Sequence, residues 1–199
     1  MSGFTVDTKA FDVLNDEKGA ISGFVIHVGK INLKIQAVEN QEADKRTASV
    51  LLVWLSKNAK EISDLLQTIG CKLEGEITVN IMPLSTFVEE VGDKFPYEGV
   101  TLDMLKSDVT NNGVKVMLGH PDIIYLVVRD DIEKEYFKEI NAMERIVFAT
   151  TVFGLVLLCG KDEKTATKVS VHLASSFIPL QPKIPTHALA LALIGTKRK

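Results

Sequence analysis

A single change of hydrophobic period within residues 47–82 constrains this chain more than any other feature. Leu51, Leu55, Ala59, Ile62, Leu66 and Ile69 follow one another at intervals of 4, 4, 3, 4 and 3, which is the apolar stripe of an amphipathic helix. Thr47 stands where an N-cap would satisfy free N–H groups, and Gly70 where a left-handed residue would close the helix. Beyond the glycine the period drops to two. Leu73, Gly75, Ile77, Val79 and Ile81 alternate with Glu74, Glu76, Thr78 and Asn80 before Pro83 stops the ladder. The spacing predicts a helix over 47–69 feeding a half-buried strand over 73–81, and this pair is the expected folding centre.

The flanking segments extend the pattern. Phe24, Ile26 and Val28 alternate on even positions and Ile31, Leu33, Ile35 and Ala37 on odd ones. The parity switch at Gly29-Lys30 reads as a two-residue hairpin turn or a bulge in one long strand. Residues 1–20, with Phe4, Val6, Phe11, Val13 and Leu14, read as a short strand or a docking arm. In the middle, Thr86 and Glu89 have the spacing of a capping box, residues 101–109 read as a short helix, and Asn111-Asn112-Gly113 marks a turn. Residues 114–118 and 123–128 form an expected hairpin around Gly119-His120-Pro121-Asp122. Ile132, Tyr136, Ile140, Met143 and Val147 predict a second amphipathic helix over 131–148. Residues 152–158 continue that helix or form a central strand. Val169, Val171 and Leu173 alternate, predicting a strand over 167–178. After Pro179, Pro182 and Pro185, a last strand is expected to oppose His187, Leu189, Leu191 and Leu193 to Ala188, Ala190 and Ala192. Hairpin signals with two main helices define an α+β class, a mainly antiparallel sheet packed on those helices. The expected organisation is an arm at 1–20, one domain over 21–196 and a basic tail at 197–199.

At 199 residues the chain is long enough for one domain with a substantial core. Its net charge of −3 gives no overall electrostatic case for nucleic acid. The charge is segregated, however: residues 161–199 carry seven Lys/Arg against two acids, so the part before them is strongly acidic. A basic end on an acidic body suits self-association, an acidic partner, nucleic acid or an anionic membrane surface. Cys71 and Cys159 are distant in sequence and each sits beside a glycine after an apolar stretch. They read as buried free thiols, and hence point to a reducing, intracellular compartment. The longest apolar run, residues 146–159, is too short for a transmembrane helix, which takes about 20 residues.

Catalytic motifs are missing from the sequence. It contains no His-Glu-x-x-His, Cys-x-x-Cys, EF-hand loop or Gly-x-Ser-x-Gly elbow. Residues 154–161 end in Gly-Lys, but the glycine spacing is wrong for a phosphate loop and Asp162 stands where Ser or Thr would hold magnesium. His27, by parity, faces away from the apolar side of its strand. His172 and His187 fall in the last two expected strands, with no carboxylate or thiol at ligand spacing. No catalytic, cofactor or metal residue is assigned. The remaining candidates are for interaction: Trp54 and Leu51 in a helix start that is apolar nearly all round, and the cations Lys164, Lys168, Lys183, Lys197, Arg198 and Lys199.

The order of strand 24–38, helix 47–69, strand 73–81, an irregular middle, helix 131–148 and closing strands resembles that of rhabdovirus-type viral matrix proteins. The resemblance implies a virion-associated protein that polymerises and bridges partners. The chain departs from that pattern in lacking a Pro-Pro-x-Tyr motif and a basic N-terminal arm. The expected function is therefore a non-enzymatic structural or assembly protein that forms homo-oligomers. The alternatives are an accessory protein binding nucleic acid or protein through its basic end, and a small enzyme with a dispersed site.

Overall fold

A computed structural model of the chain describes residues 11–38, 42–91, 97–98, 100–119, 122–130, 140–176 and 197–198. The expected strand at 187–193, the first ten residues of the expected short strand or arm, residues 131–139 of the expected second helix, and Lys183 and Lys199 lie outside these residues.

The fold is α+β. Strands β1 (Phe11–Asn15), β2 (Ile21–Val28), β3 (Ile31–Ala37), β4 (Gly75–Pro83), β6 (Val114–Leu118) and β7 (Ile123–Val128) form one mixed sheet in the order β1-β2-β3-β4-β7-β6. β1, β2 and β3 form an antiparallel meander, with Gly29 at φ 62° in the tight β2–β3 turn. β3 pairs in parallel with β4, and β4 with β7, while β6 and β7 are an antiparallel hairpin. The parallel β3–β4 pair requires a crossover, and helix α1 (Glu42–Thr68) supplies it. A two-residue ribbon, β5 (Tyr97–Glu98) with β8 (Lys197–Arg198), is a separate small sheet with β8 beside β6.

One face of the sheet carries the main core. Phe24, Ile26, Leu33, Ile35, Ile77, Val79, Ile81, Val116, Ile124 and Leu126 point from it towards α1 and helix α4 (Ile140–Leu158). The stripe Leu51, Leu55, Ile62 and Leu66 is fully buried there, as its spacing predicts. Helix α5 (Glu163–Ser176) packs on α4. Helices α2 (Leu84–Val91) and α3 (Leu102–Asn112) cover the other face over β4, β7 and β6, closing a second cluster of Met82, Phe87, Leu105, Val109, Met117 and Val127. Thr101 caps α3, its hydroxyl accepting from Met104 N–H at 3.2 Å. Thr101→Ala is expected to cost about 1 kcal/mol in urea unfolding, and an unchanged midpoint would show that the cap contributes nothing.

Three expectations are corrected, and the open choice at residues 152–158 falls to the helix. α1 starts at Glu42, so Thr47 is a buried residue inside the helix, not its cap. α2 starts at Leu84, which puts Thr86 inside it; Asp130, at the end of β7, instead accepts from Ser85 N–H (3.1 Å) and Ser85 Oγ (3.2 Å). Residues 152–158 are helical, completing α4. Residues 163–176 are a helix where a strand over 167–178 was expected. Asp162 starts it by accepting from Thr165 N–H at 2.8 Å, and Ala166, Val169 and Leu173 form its buried side.

The cysteine reading is also corrected. Cys71 and Cys159 are joined in a disulfide across 88 residues of chain, Cα–Cα 5.1 Å. Each lies just beyond the C-terminal end of a helix, α1 or α4, and those two ends meet. With both sulfurs paired, the cysteines no longer argue for a reducing compartment.

Candidate functional site

Because strand side chains alternate, the sheet that buries the odd positions of β3 and β4 under α1 presents their even positions on the opposite face. Helices α2 and α3 cover only the β4–β7–β6 half of that face. Over β1, β2, β3 and the near side of β4 the described residues leave it open, and its side chains are mostly polar. Three cross-strand rows follow from the register. His27, Asn32 and Glu76 form the first; Asp12, Val25, Lys34, Thr78 and Ile123 the second; Leu14, Gly23, Gln36, Asn80 and Tyr125 the third.

The rows are held in place by their own hydrogen bonds. Gln36 Nε2 donates to Asn80 Oδ1 at 2.7 Å across the parallel β3–β4 joint. His27 Nδ1 lies 2.6 Å from Asn32 Oδ1 across the hairpin, where the amide oxygen accepts. Tyr125 borders the covered half, its ring edge-on to Phe87 at 5.9 Å. Lys34, half-buried, sits between these pairs, with Thr78 beside it, the exposed carboxylate of Glu76 on the neighbouring β4 and that of Asp12 two strands away on β1. The face thus carries both signs of charge, separated by amides and by the half-buried Val25 and Leu14.

Parallel strand pairs are normally covered on both faces, and their residues are then apolar on both. The β3–β4 pair has an apolar face under α1 and an amide-and-lysine face on the other side. Such a face can bind through hydrogen bonds and paired charges. It offers no nucleophile–base pair. Among the described residues, no group of three His, Cys, Asp or Glu comes together at metal-holding distances.

The interaction residues read from sequence are dispersed. Leu51 is fully buried, and Trp54 packs on Phe148 with ring centroids 4.9 Å apart, so the apolar helix start faces the core. Lys164 and Lys168 are exposed one turn apart on α5, and His172 continues that row on the helix instead of on a strand. Lys197 and Arg198 pair their backbones with Glu98 and Tyr97 in the ribbon. The described residues join the α5 cations and the ribbon in no common element. Arg145 is a further buried cation that sequence reading missed. It continues the Ala149, Val152 and Val156 stripe of α4, its Nε has no hydrogen-bond partner, and burial pushes its pKa below the usual arginine range. Among the described residues no helix is long and apolar enough to cross a membrane. Compared with family models, curated proteins and solved structures, the chain matches none.

Proposed function

We propose that this chain is a non-enzymatic assembly protein that associates with a second copy of itself through the open polar face of β1–β4. The supporting observation is the parallel β3–β4 joint, whose outer face the described residues leave uncovered and which carries charges of both signs. A two-fold arrangement of two such faces sets Lys34 of each copy against Glu76 or Asp12 of the other. The amides then hydrogen-bond across the contact, and Val25 and Leu14 supply apolar area between them. Self-association of this kind is the mode of action expected of a matrix-like protein.

Light scattering on a sizing column at low and high salt tests the reading, with absorbance at 260 and 280 nm followed across each peak. A dimer or larger species that weakens with salt is expected, because exposed charge pairs are screened over about 8–10 Å. Lys34→Glu and Glu76→Lys are each expected to weaken association about tenfold, roughly 1.4 kcal/mol. The double exchange is expected to restore it. A monomer under all conditions, or two single variants that the double exchange fails to rescue, would sink this pairing. Co-migrating nucleic acid removed by salt would move the function to the basic row of α5.

A further inference from the structure

We propose that the Cys71–Cys159 bond is a redox-operated clasp on the helix layer, opened by glutathione-type thiols and closed again by their disulfides, without unfolding of the chain. The first support is that neither helix end depends on the sulfur bond for its shape. At the end of α1, Gly70 (φ 76°) donates its N–H to Gln67 O and Cys71 donates to Leu66 O, both at 2.9 Å. At the end of α4, Gly160 (φ 82°) donates to Leu157 O at 2.9 Å and Cys159 to Leu155 O at 3.1 Å. These closures satisfy the terminal carbonyls of both helices. The seam between the helices is packed elsewhere, notably at Trp54 and Phe148. The two cysteines are therefore brought together by the fold, and the bond follows from that placement.

The open state is accommodated as well. Leu155 O lies 3.1 Å from Cys159 Sγ, so a reduced Cys159 thiol has an acceptor for its S–H. Both cysteines are partly buried at the edge of the main core, and neither is sealed inside it. The ammonium of Lys161 stands over Gly70, 3.8 Å from where a Cβ there would lie, and Lys72 follows Cys71. These cations offset the negative helix ends and help a thiolate to form. The chain has two cysteines, so no alternative pairing competes within it. The chemistry is ordinary exchange. A glutathione thiolate attacks one sulfur and releases the other as a thiolate. A second glutathione then resolves the mixed disulfide. Two electrons and two protons pass to Cys71 and Cys159, and two glutathiones leave as one disulfide.

The test equilibrates the full chain in native buffer over a range of reduced-to-oxidised glutathione ratios, traps thiols by alkylation and counts them by mass. Far-UV circular dichroism and the emission of Trp54 are followed in parallel. A reversible change from no alkylated cysteine to two is expected, with both spectra unchanged and the melting midpoint of the open form lower by about 10 °C. Cys71→Ser/Cys159→Ser is expected to fold and to melt like the open form, with or without reductant. A bond that survives excess reduced glutathione in native buffer would make it a permanent staple and overturn the proposal. Loss of the Trp54 or circular-dichroism signal on reduction, or a double variant that does not fold, would overturn it too, since the bond would then be holding the fold.

Discussion

Replacing Gly23 by alanine is expected to lower stability by about 3 kcal/mol or more, although it adds a single methyl group. The reason is space in the middle of the meander. Gly23 lies on β2 between Leu14 of β1 and Gln36 of β3. A Cβ there would overlap the carbonyl oxygen of Ile35 and stand 2.9 Å from Gln36 Cα. Both obstacles are backbone, so no rotamer change relieves them. β2 and β3 must move apart, which disturbs the pairing that aligns Gln36 with Asn80 and Lys34 with Thr78. Close backbone approach of this kind is one of the few reasons for a glycine within a strand. Thermal unfolding should show a fall of roughly 6–12 °C for a chain of this size. Val25→Ala, on the same strand but half-exposed, should cost under about 1 kcal/mol. A Gly23→Ala midpoint within about 2 °C of the parent would show that the meander can widen freely.

The same meander shows what a single sequence discloses. Its hairpin, the α1 stripe and the alternation in β4 are legible because each rests on neighbours in sequence. The parity switch at Gly29-Lys30 becomes a turn because the residues on both sides already bury alternate positions. The pairing of β3 with β4 and of β4 with β7 leaves no local trace, since a crossover of α1's length separates the first pair. The polar rows are therefore readable one strand at a time, as Asn32, Lys34 and Gln36 or as Glu76, Thr78 and Asn80. Only the parallel register sets them side by side. The disulfide is hidden for the same reason, its partners being 88 residues apart. The strand expected at 167–178 has a different origin. Val169 and Leu173 fit a period of two through Val171, but they also fit a helical stripe with Ala166. The deciding signal was local: Asp162 followed by Glu163 is a helix start, with the capping bond to Thr165 N–H that the structure shows. At α1, the mostly polar residues 42–46 precede the apolar stripe, which hid the start at Glu42 and made Thr47 look like a cap.

Lys115 gives the second large effect, and the substituent decides its size. It lies on β6 beneath α3, its side chain 2% exposed and its Nζ 3.0 Å from Asp108 Oδ2, while the Asp108 side chain is 41% exposed. A fully buried lysine carries a desolvation cost that its partner offsets only in part. Lys115→Met keeps the length of the stem and removes the charge. Asp108 can then turn to water, so the variant is expected within about 1 kcal/mol of the parent. Lys115→Ala also removes the charge but empties the space between β6 and α3 next to Met117 and Val109. A loss of about 2–4 kcal/mol is expected, as for other truncations of long buried side chains. Asp108→Ala takes the carboxylate from a buried ammonium and should cost about 3 kcal/mol. Adding Lys115→Met to it should recover most of that loss, since the two residues are in contact and their effects cannot add independently. Urea unfolding of the four variants separates the contributions. If Lys115→Met costs as much as Lys115→Ala, the charge pair and not the buried stem holds α3 on the sheet. If Asp108→Ala is neutral, the carboxylate contributes little to holding Lys115 beneath the helix.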